Sequence, residues 1–492
     1  MKKQILAAVL SAVLPLTACS APSGTSSSGQ REGERTLTLS DQEIKLDGQP
    51  LSLNGEGAVT LSNDIVYYHD NTGEDYGEGT QADMHTQEEA DAHTVVTIRE
   101  TGTYRVSGAL SAGQLAVDLG SEAKRDPEAV VTLVLDGVDI TCTVAPAVIF
   151  YNVYECDETW VAYDEEEMEN YSVQPADVDT SAAGANVVLA DGSVNQVNGS
   201  YVARIYKEGT TKKLHKYDGA FYSKMSMNIN GETEGTGTLS IVADNEGLDS
   251  ELHLTINGGQ INIQAQNDGI NTNEDNVSVT TINGGALQIN AGLGEEGDGI
   301  DSNGHIVING GAVYSMASDH SPDGGLDADG EILINGGQVA ALGVRNDAVS
   351  SDSKQLYIEL SFASALPAGA LVELEGTSLS FTLEKGARSI LYSAPELEQD
   401  VSYTLKVDGA VQQYTGHTSG GFGGGRPGGM DVQPPQMPDG QQPPELPEGQ
   451  NHPQPPQGGP GQFHIDGEQG EPSTDFMLTD SVRSFSGIAE QK

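Results

Sequence analysis

Between Ile229 and Val344 the chain sets oxygen-bearing side chains at regular intervals. They recur in Glu246-Gly247-Leu248-Asp249, Asp268-Gly269-Ile270-Asn271, Asp298-Gly299-Ile300-Asp301 and Gly324-Gly325-Leu326-Asp327. If these segments stack, Asp249, Asn271, Asp301 and Asp327 form one column. Glu246, Asp268 and Asp298 form a second, with Asp323 displaced by one position in the last copy. Carboxylates about 4.8 Å apart repel by about 1 kcal/mol in water and about 3–4 kcal/mol at an effective dielectric near 20. Residues 226–344 hold eighteen Asp or Glu and no Lys or Arg, so no side-chain cation inside this stretch offsets the repulsion. Such oxygen-rich columns suit Ca²⁺, which takes about six to eight oxygen ligands from carboxylates, amides and backbone carbonyls. Asp-Gly and Asn-Gly also form turns on their own account, so a metal column and a row of solvated turns both remain open.

The elements that would position these columns are legible as a repeat. Ile-Asn-Gly triplets start at Ile256, Ile282, Ile308 and Ile334, 26 residues apart, with a weaker copy 27 residues earlier at Ile229. Fixed self-similarity of this length marks a solenoid. Apolar residues alternate within each unit, as in Gln260-Ile261-Asn262-Ile263-Gln264, which is strand period. Gly pairs at 258–259, 284–285, 310–311 and 336–337 disfavour helix and fit tight corners. A leucine-rich repeat would need Leu at set spacings and a helix or 3₁₀ turn per unit. The expectation is an all-β parallel β-helix with one coil per repeat. Asn230, Asn257, Asn283, Asn309 and Asn335 fall in one column, where stacked amides hydrogen-bond along the axis as a structural ladder.

A formal net charge of −50 argues against nucleic acid as a partner, because binding phosphates needs basic patches. It suits cations, neutral polymers or solubility at a cell surface. Lys2 and Lys3 precede the apolar run Ile5–Leu14 and then Leu16-Thr17-Ala18-Cys19, a run too short to span a membrane. Leu-Thr-Ala-Cys resembles a bacterial lipobox, so Cys19 is the expected lipidated first residue after a signal peptide over 1–18. The expected location is the outer face of a bacterial cell membrane, reached through the lipid anchor alone. Cys142 and Cys156 remain, and an exported chain permits a disulfide between them.

In chain order, 19–35 reads as a flexible tether and 36–149 as N-terminal strands and a cap, with Leu135-Asp136-Gly137 in the place of a divergent Ile-Asn-Gly. Residues 150–217 interrupt the repeat as a loop insertion, with a hairpin expected at Val187–Ser193. The 26-residue repeats occupy 218–353, a small C-terminal β domain follows over 354–415, and the Gly-, Pro- and Gln-rich tail 416–492 reads as disordered. Aromatic rings are the usual platforms for sugars. Between Ile229 and Arg345 the only ring of this kind is Tyr314, so Trp160 and Tyr222, in or beside the insertion, join it as candidates for carbohydrate contact.

Gly102-Thr103-Tyr104 with Ser107-Gly108, Val131–Ile140, Leu189-Ala190-Asp191-Gly192, Ala220–Lys224, the Asp-Gly-Ile and Ile-Asn-Gly-Gly coils, and Ser393-Ala394-Pro395-Glu396-Leu397 follow one another in an order that carries a resemblance. From about Gly57 to Val407 the chain resembles lipoproteins described as carbohydrate-binding domain-containing. The resemblance implies a right-handed parallel β-helix, similar in shape to pectate lyases, with bound calcium. It also implies binding of a plant cell-wall polysaccharide, without catalysis. The expected function is therefore that of a non-catalytic, monomeric, carbohydrate-binding surface lipoprotein. A calcium-dependent polysaccharide lyase is the alternative; it would need a base near the calcium, and Lys224, Arg345 and Lys354 are the basic residues at hand. A structural adhesin or spacer is a third reading, and it predicts no affinity for sugar.

Overall fold

The computed structural model describes residues 33–69, 76–162, 171–206 and 213–413, together with the strands His417–Thr418, Phe476–Met477 and Val482–Glu490. The expected signal peptide, Cys19, most of the expected tether and the greater part of the tail lie outside the described residues. The described residues are nearly all β, and among them are two short α-helices at Gln87–Asp91 and Glu158–Ala162.

Successive repeats lay their strands parallel on one another along three faces. The first face runs through Gly102–Leu110, Val131–Thr141, Ala185–Leu189, Met227–Gly231, Leu254–Ile256, Val279–Ile282, His305–Ile308 and Ile332–Ile334. The second runs through Val194–Gly199, Thr238–Ala243, Gln260–Ala265, Ala286–Asn290, Ala312–Met316 and Gln338–Gly343. The third contains Gly113–Asp118, Val148–Asn152, Gly219–Ser223, Glu246–Ser250, Ile270–Thr272, Ile300–Ser302 and Leu326–Ala328. Alternation sends every second side chain inward, where Leu133, Val187, Ile229, Ile256, Ile282, Ile308 and Ile334 form one fully buried column.

Both glycine motifs have a steric reason. The second Gly of each pair (259, 285, 311, 337) has φ between +85° and +93°, a corner conformation strained for any other residue. Gly269 of Asp-Gly-Ile has ordinary dihedrals, but a Cβ there would lie 2.2 Å from Ile289 Cγ2 and 2.6 Å from the Gly299 carbonyl oxygen. The third face is thus pressed directly on the second.

The stack extends further towards the N-terminus than the Ile-Asn-Gly repeat does. Val187–Ser193 is not a hairpin within an insertion: Ala185–Leu189 and Val194–Gly199 are two sides of a full coil between Val131–Thr141 and the strands from Met227 and Thr238. The isoleucine column continues through Leu133, two residues before the expected Leu135. What departs from the coil is a segment ahead of Ala185 and the antiparallel hairpin Val202–Tyr206/Lys213–Tyr217. The former lays Val173 and Val178 over Val279, Val307 and Leu333 of the first face.

Beyond the coils, Ala387–Ser393 pairs antiparallel with Gln338–Gly343, and a separate core including Val372, Leu374, Ile390 and Leu405 packs on Met316 and Leu342. Part of the tail expected to lack structure is strand, since Val482–Glu490 runs parallel to Tyr357–Leu366.

Candidate functional site

The acidic columns lie on the third face. Pairing sets Asp249 beside Asn271, Ile270 beside Ile300, and Asp301 beside Asp327, so these residues share one line across four coils. In the other line, the Gly247 N–H donates to the Asp268 carbonyl at 2.9 Å and the Gly269 N–H to that of Asp298 at 2.9 Å. Glu246 opens the same line, because the Glu246 N–H reaches the Asp218 carbonyl one coil earlier. Gly324 takes the last position, since the Gly299 N–H donates to its carbonyl. Asp323 is turned aside, accepting from the Gly297 N–H at 2.7 Å and from the Ser321 hydroxyl.

This band is withdrawn from solvent. Asp249 is 0 % exposed, Glu246 3 %, Asn271 5 % and Asp268 8 %. Burial, reinforced by neighbouring carboxylates, pushes the Asp249 and Asp268 carboxyls well above the usual range and raises Glu246. Asp298 and Asp327 are pushed up to about 8 and Asp301 to about 7, again chiefly by burial. Backbone donors satisfy part of the set: the Asp298 N–H reaches Asp268 Oδ1 and the Gly324 N–H reaches Asp298 Oδ1, both at 2.6 Å. Asn273 Nδ2 donates to Asp249 Oδ1 at 2.6 Å.

Three acceptor oxygens at one end have no hydrogen-bond partner: Glu246 Oε2, Asp249 Oδ2 and Asn271 Oδ1. Buried acceptors left unpaired cost about 1–3 kcal/mol each, more when charged. Hard oxygens left unpartnered in a dry place match the donor chemistry of Ca²⁺, so the residues fit the ion. Among the described residues no three His, Cys, Asp or Glu side chains gather closely enough to hold a metal by themselves. A cation here would therefore draw on the Asn271 amide oxygen and on backbone carbonyls as well.

Cations from outside the repeat reach the first coil of the band and the coil before it. The hairpin carries Lys213, whose Nζ lies 2.7 Å from Glu251 Oε2, and Lys216, whose Nζ lies 2.7 Å from Asp218 Oδ2. Burial pulls the Lys213 ammonium down, but the Glu251 carboxylate outweighs it and holds it above its ordinary value. Lys224 lies 5.9 Å over the Tyr217 ring, and burial leaves its ammonium below the ordinary value. The sequence signal for this neutralisation was the run of lysines just ahead of Asp218; the pairing of a loop with a distant coil was not visible in it.

The proposed ring contacts fare unevenly. Tyr222 cannot be a sugar platform, because it is fully buried in register with Asp249, its hydroxyl donating to Glu251. Tyr314 is half-buried, its ring against Phe381 at 5.5 Å. Trp160 is partly exposed on the helix Glu158–Ala162. Cys142 and Cys156 are free thiols; Cys142 belongs to the main core, whereas Cys156 packs in a separate cluster with Ala123, Ala129 and Tyr154. The Asn column forms the expected ladder, each amide donating to the previous side chain at 2.9–3.0 Å from Asn257 to Asn335.

Among curated proteins nothing matches the chain. A solved structure of a polysaccharide lyase-like protein from C. thermocellum, a gadolinium derivative, is similar at 20 % identity over 62 % of this chain and 92 % of that one. Its TM-score is 0.33, a likeness too loose to inform on this chain's fold or function. The family model described as carbohydrate-binding domain-containing protein matches residues 92–389, which include every coil that carries the acidic band. With more than half of its length matched, the chain belongs to the carbohydrate-binding domain-containing protein family.

Proposed function

We propose that this protein is a cell-surface lipoprotein, built as a right-handed parallel β-helix, that binds plant cell-wall or related polysaccharide without cleaving it and holds calcium in its third face. Family membership supports the carbohydrate half of this reading. The observation that carries the calcium half is the trio of buried, unpartnered oxygens on Glu246, Asp249 and Asn271. Calcium there would be held by those three, with Asp268, Asp298, Asp301 and Asp327 as further donors along the face. It supplies the positive charge that lets the carboxylates ionise without mutual repulsion. Cys19 would tether the protein to the outer face of the cell membrane.

The direct test is retention of the protein on immobilised pectate, cellulose and mucin glycans, with calcium and with chelator. Retention on at least one polymer, with no unsaturated product absorbing in the ultraviolet, is the expected result. No retention on any polymer, with the fold intact, would leave only a surface scaffold.

One observation favours the lyase alternative. Lys224 follows the strand Gly219–Ser223, one coil before the band, and its ammonium is held below the ordinary value by burial, as a proton-abstracting base requires. Release of unsaturated product from pectate, abolished by Lys224→Ala, would establish that reading instead.

A further inference from the structure

The second face differs from the acidic one. None of its strands Val194–Gly199, Thr238–Ala243, Gln260–Ala265, Ala286–Asn290, Ala312–Met316 and Gln338–Gly343 contains Asp, Glu, Lys or Arg, although 20 % of the chain is charged. Stacking alone does not impose this, because the third face stacks carboxylates in two lines. The first face is also uncharged in its late coils, but it is roofed: Val173 and Val178 cover its outward valines, and Thr180 hydrogen-bonds Asn228 and Thr255.

Over its early coils the second face is open. Gln196, Gln260, Asn262 and Gln264 point outward and are exposed, in register with exposed Val194 and Val242. The side-chain amides of those four form no hydrogen bond with another described residue. The amides of the Asn ladder, by contrast, are consumed by their neighbours. Towards the C-terminus the open strip ends at a wall, where Glu384 accepts hydrogen bonds from Gln288 at 2.9 Å and Asn290 at 3.0 Å, and Phe381 meets Tyr314.

We infer that this open strip is the contact surface for a neutral polysaccharide. Free amides both donate to and accept from sugar hydroxyls, and the exposed valines meet the apolar C–H faces of the rings. In a chain of net charge −50, a strip without charge is where an uncharged polymer binds without displacing counterions or leaving a carboxylate desolvated. The inference rests on the carbohydrate-binding reading and narrows it: the ligand is uncharged, and its contact does not involve the acidic band.

The test is affinity electrophoresis of the full chain in gels containing hydroxyethyl cellulose, galactomannan or polygalacturonate, with calcium and with chelator. Wild type should be retarded by at least one neutral glycan, equally in both conditions and insensitive to salt. The near-isosteric double variant Asn262→Asp/Gln264→Glu should weaken that binding by about tenfold or more, and Asn262→Ala/Gln264→Ala should weaken it less, both with unchanged melting temperature. Undiminished binding by both variants, or retardation of wild type by polygalacturonate alone, overturns the inference while the carbohydrate-binding reading stands. No retardation in any gel overturns both.

Discussion

Asn283 shows how an exposed residue sustains a stack. It donates to Asn257 and accepts from Asn309, both at 2.9 Å. Replacing it with Ala removes both bonds, and because the site is exposed to water the net cost should be about 1 kcal/mol, read from the denaturant midpoint. Gly269 lies at the opposite extreme. A methyl group at that position meets Ile289 and the Gly299 carbonyl, and neither can retreat from a packed strand. Gly269→Ala should therefore destabilise by about 1–3 kcal/mol, more than Asn283→Ala although it removes no contact; equal stability of Gly269→Ala and wild type would show that the two faces are not pressed together there. Both positions stood out in the sequence through their recurrence. The burial of Tyr222 did not, because it depends on Glu251 and on the hairpin ring Tyr217 at 5.2 Å.

At the level of the element, the acidic band makes stability depend on pH in a definable way. Asp298, Asp301 and Asp327 have folded pKa values of about 8, 7 and 8 in the absence of metal, against about 4 for an unfolded aspartate. Between those values the folded state binds more protons than the unfolded, so stability falls as pH rises. Their contribution is fully present below about pH 4 and lost as pH passes through about 7–8. In chelator the melting temperature should fall between pH 5 and pH 8.5, and calcium, which binds the ionised form, should flatten that fall. Identical slopes with and without calcium would mean that the band is not where the ion acts. The band's two lines were legible in the sequence because strand period and repeat length fix which residues align. The coil at Ala185–Gly199 was not, because the segment that precedes it breaks the period, and Leu135-Asp136-Gly137 imitates Ile-Asn-Gly in residue type while Leu133 holds the register.

For the whole molecule, charge is partitioned by face: carboxylates on the third, amides on the second, and a roof on the first. The pieces outside the repeat complete this arrangement, since Lys213 reaches the first coil of the band, Lys216 the coil before it, and the C-terminal domain closes the end of the second face. These contacts join residues distant in sequence, so local pattern could not reveal them. The roof is held partly by Asp157, which faces buried His253 at 3.4 Å. Burial raises the Asp157 carboxyl, but His253, the Trp160 N–H and the Tyr171 hydroxyl together outweigh it and keep it below its ordinary value. Asp157→Asn should speed amide hydrogen exchange in Glu158–Ala162 while leaving the coils protected; no change there would assign the docking to apolar contacts alone. The most direct measurement is a calorimetric titration of calcium into the chelator-treated protein, repeated with Asp249→Asn and with Asn283→Ala as a control outside the band. The account predicts saturable binding with a rise in melting temperature for wild type and the control, and loss of the tightest site in Asp249→Asn. Absence of binding by wild type at millimolar calcium, or undiminished binding by Asp249→Asn, would contradict it.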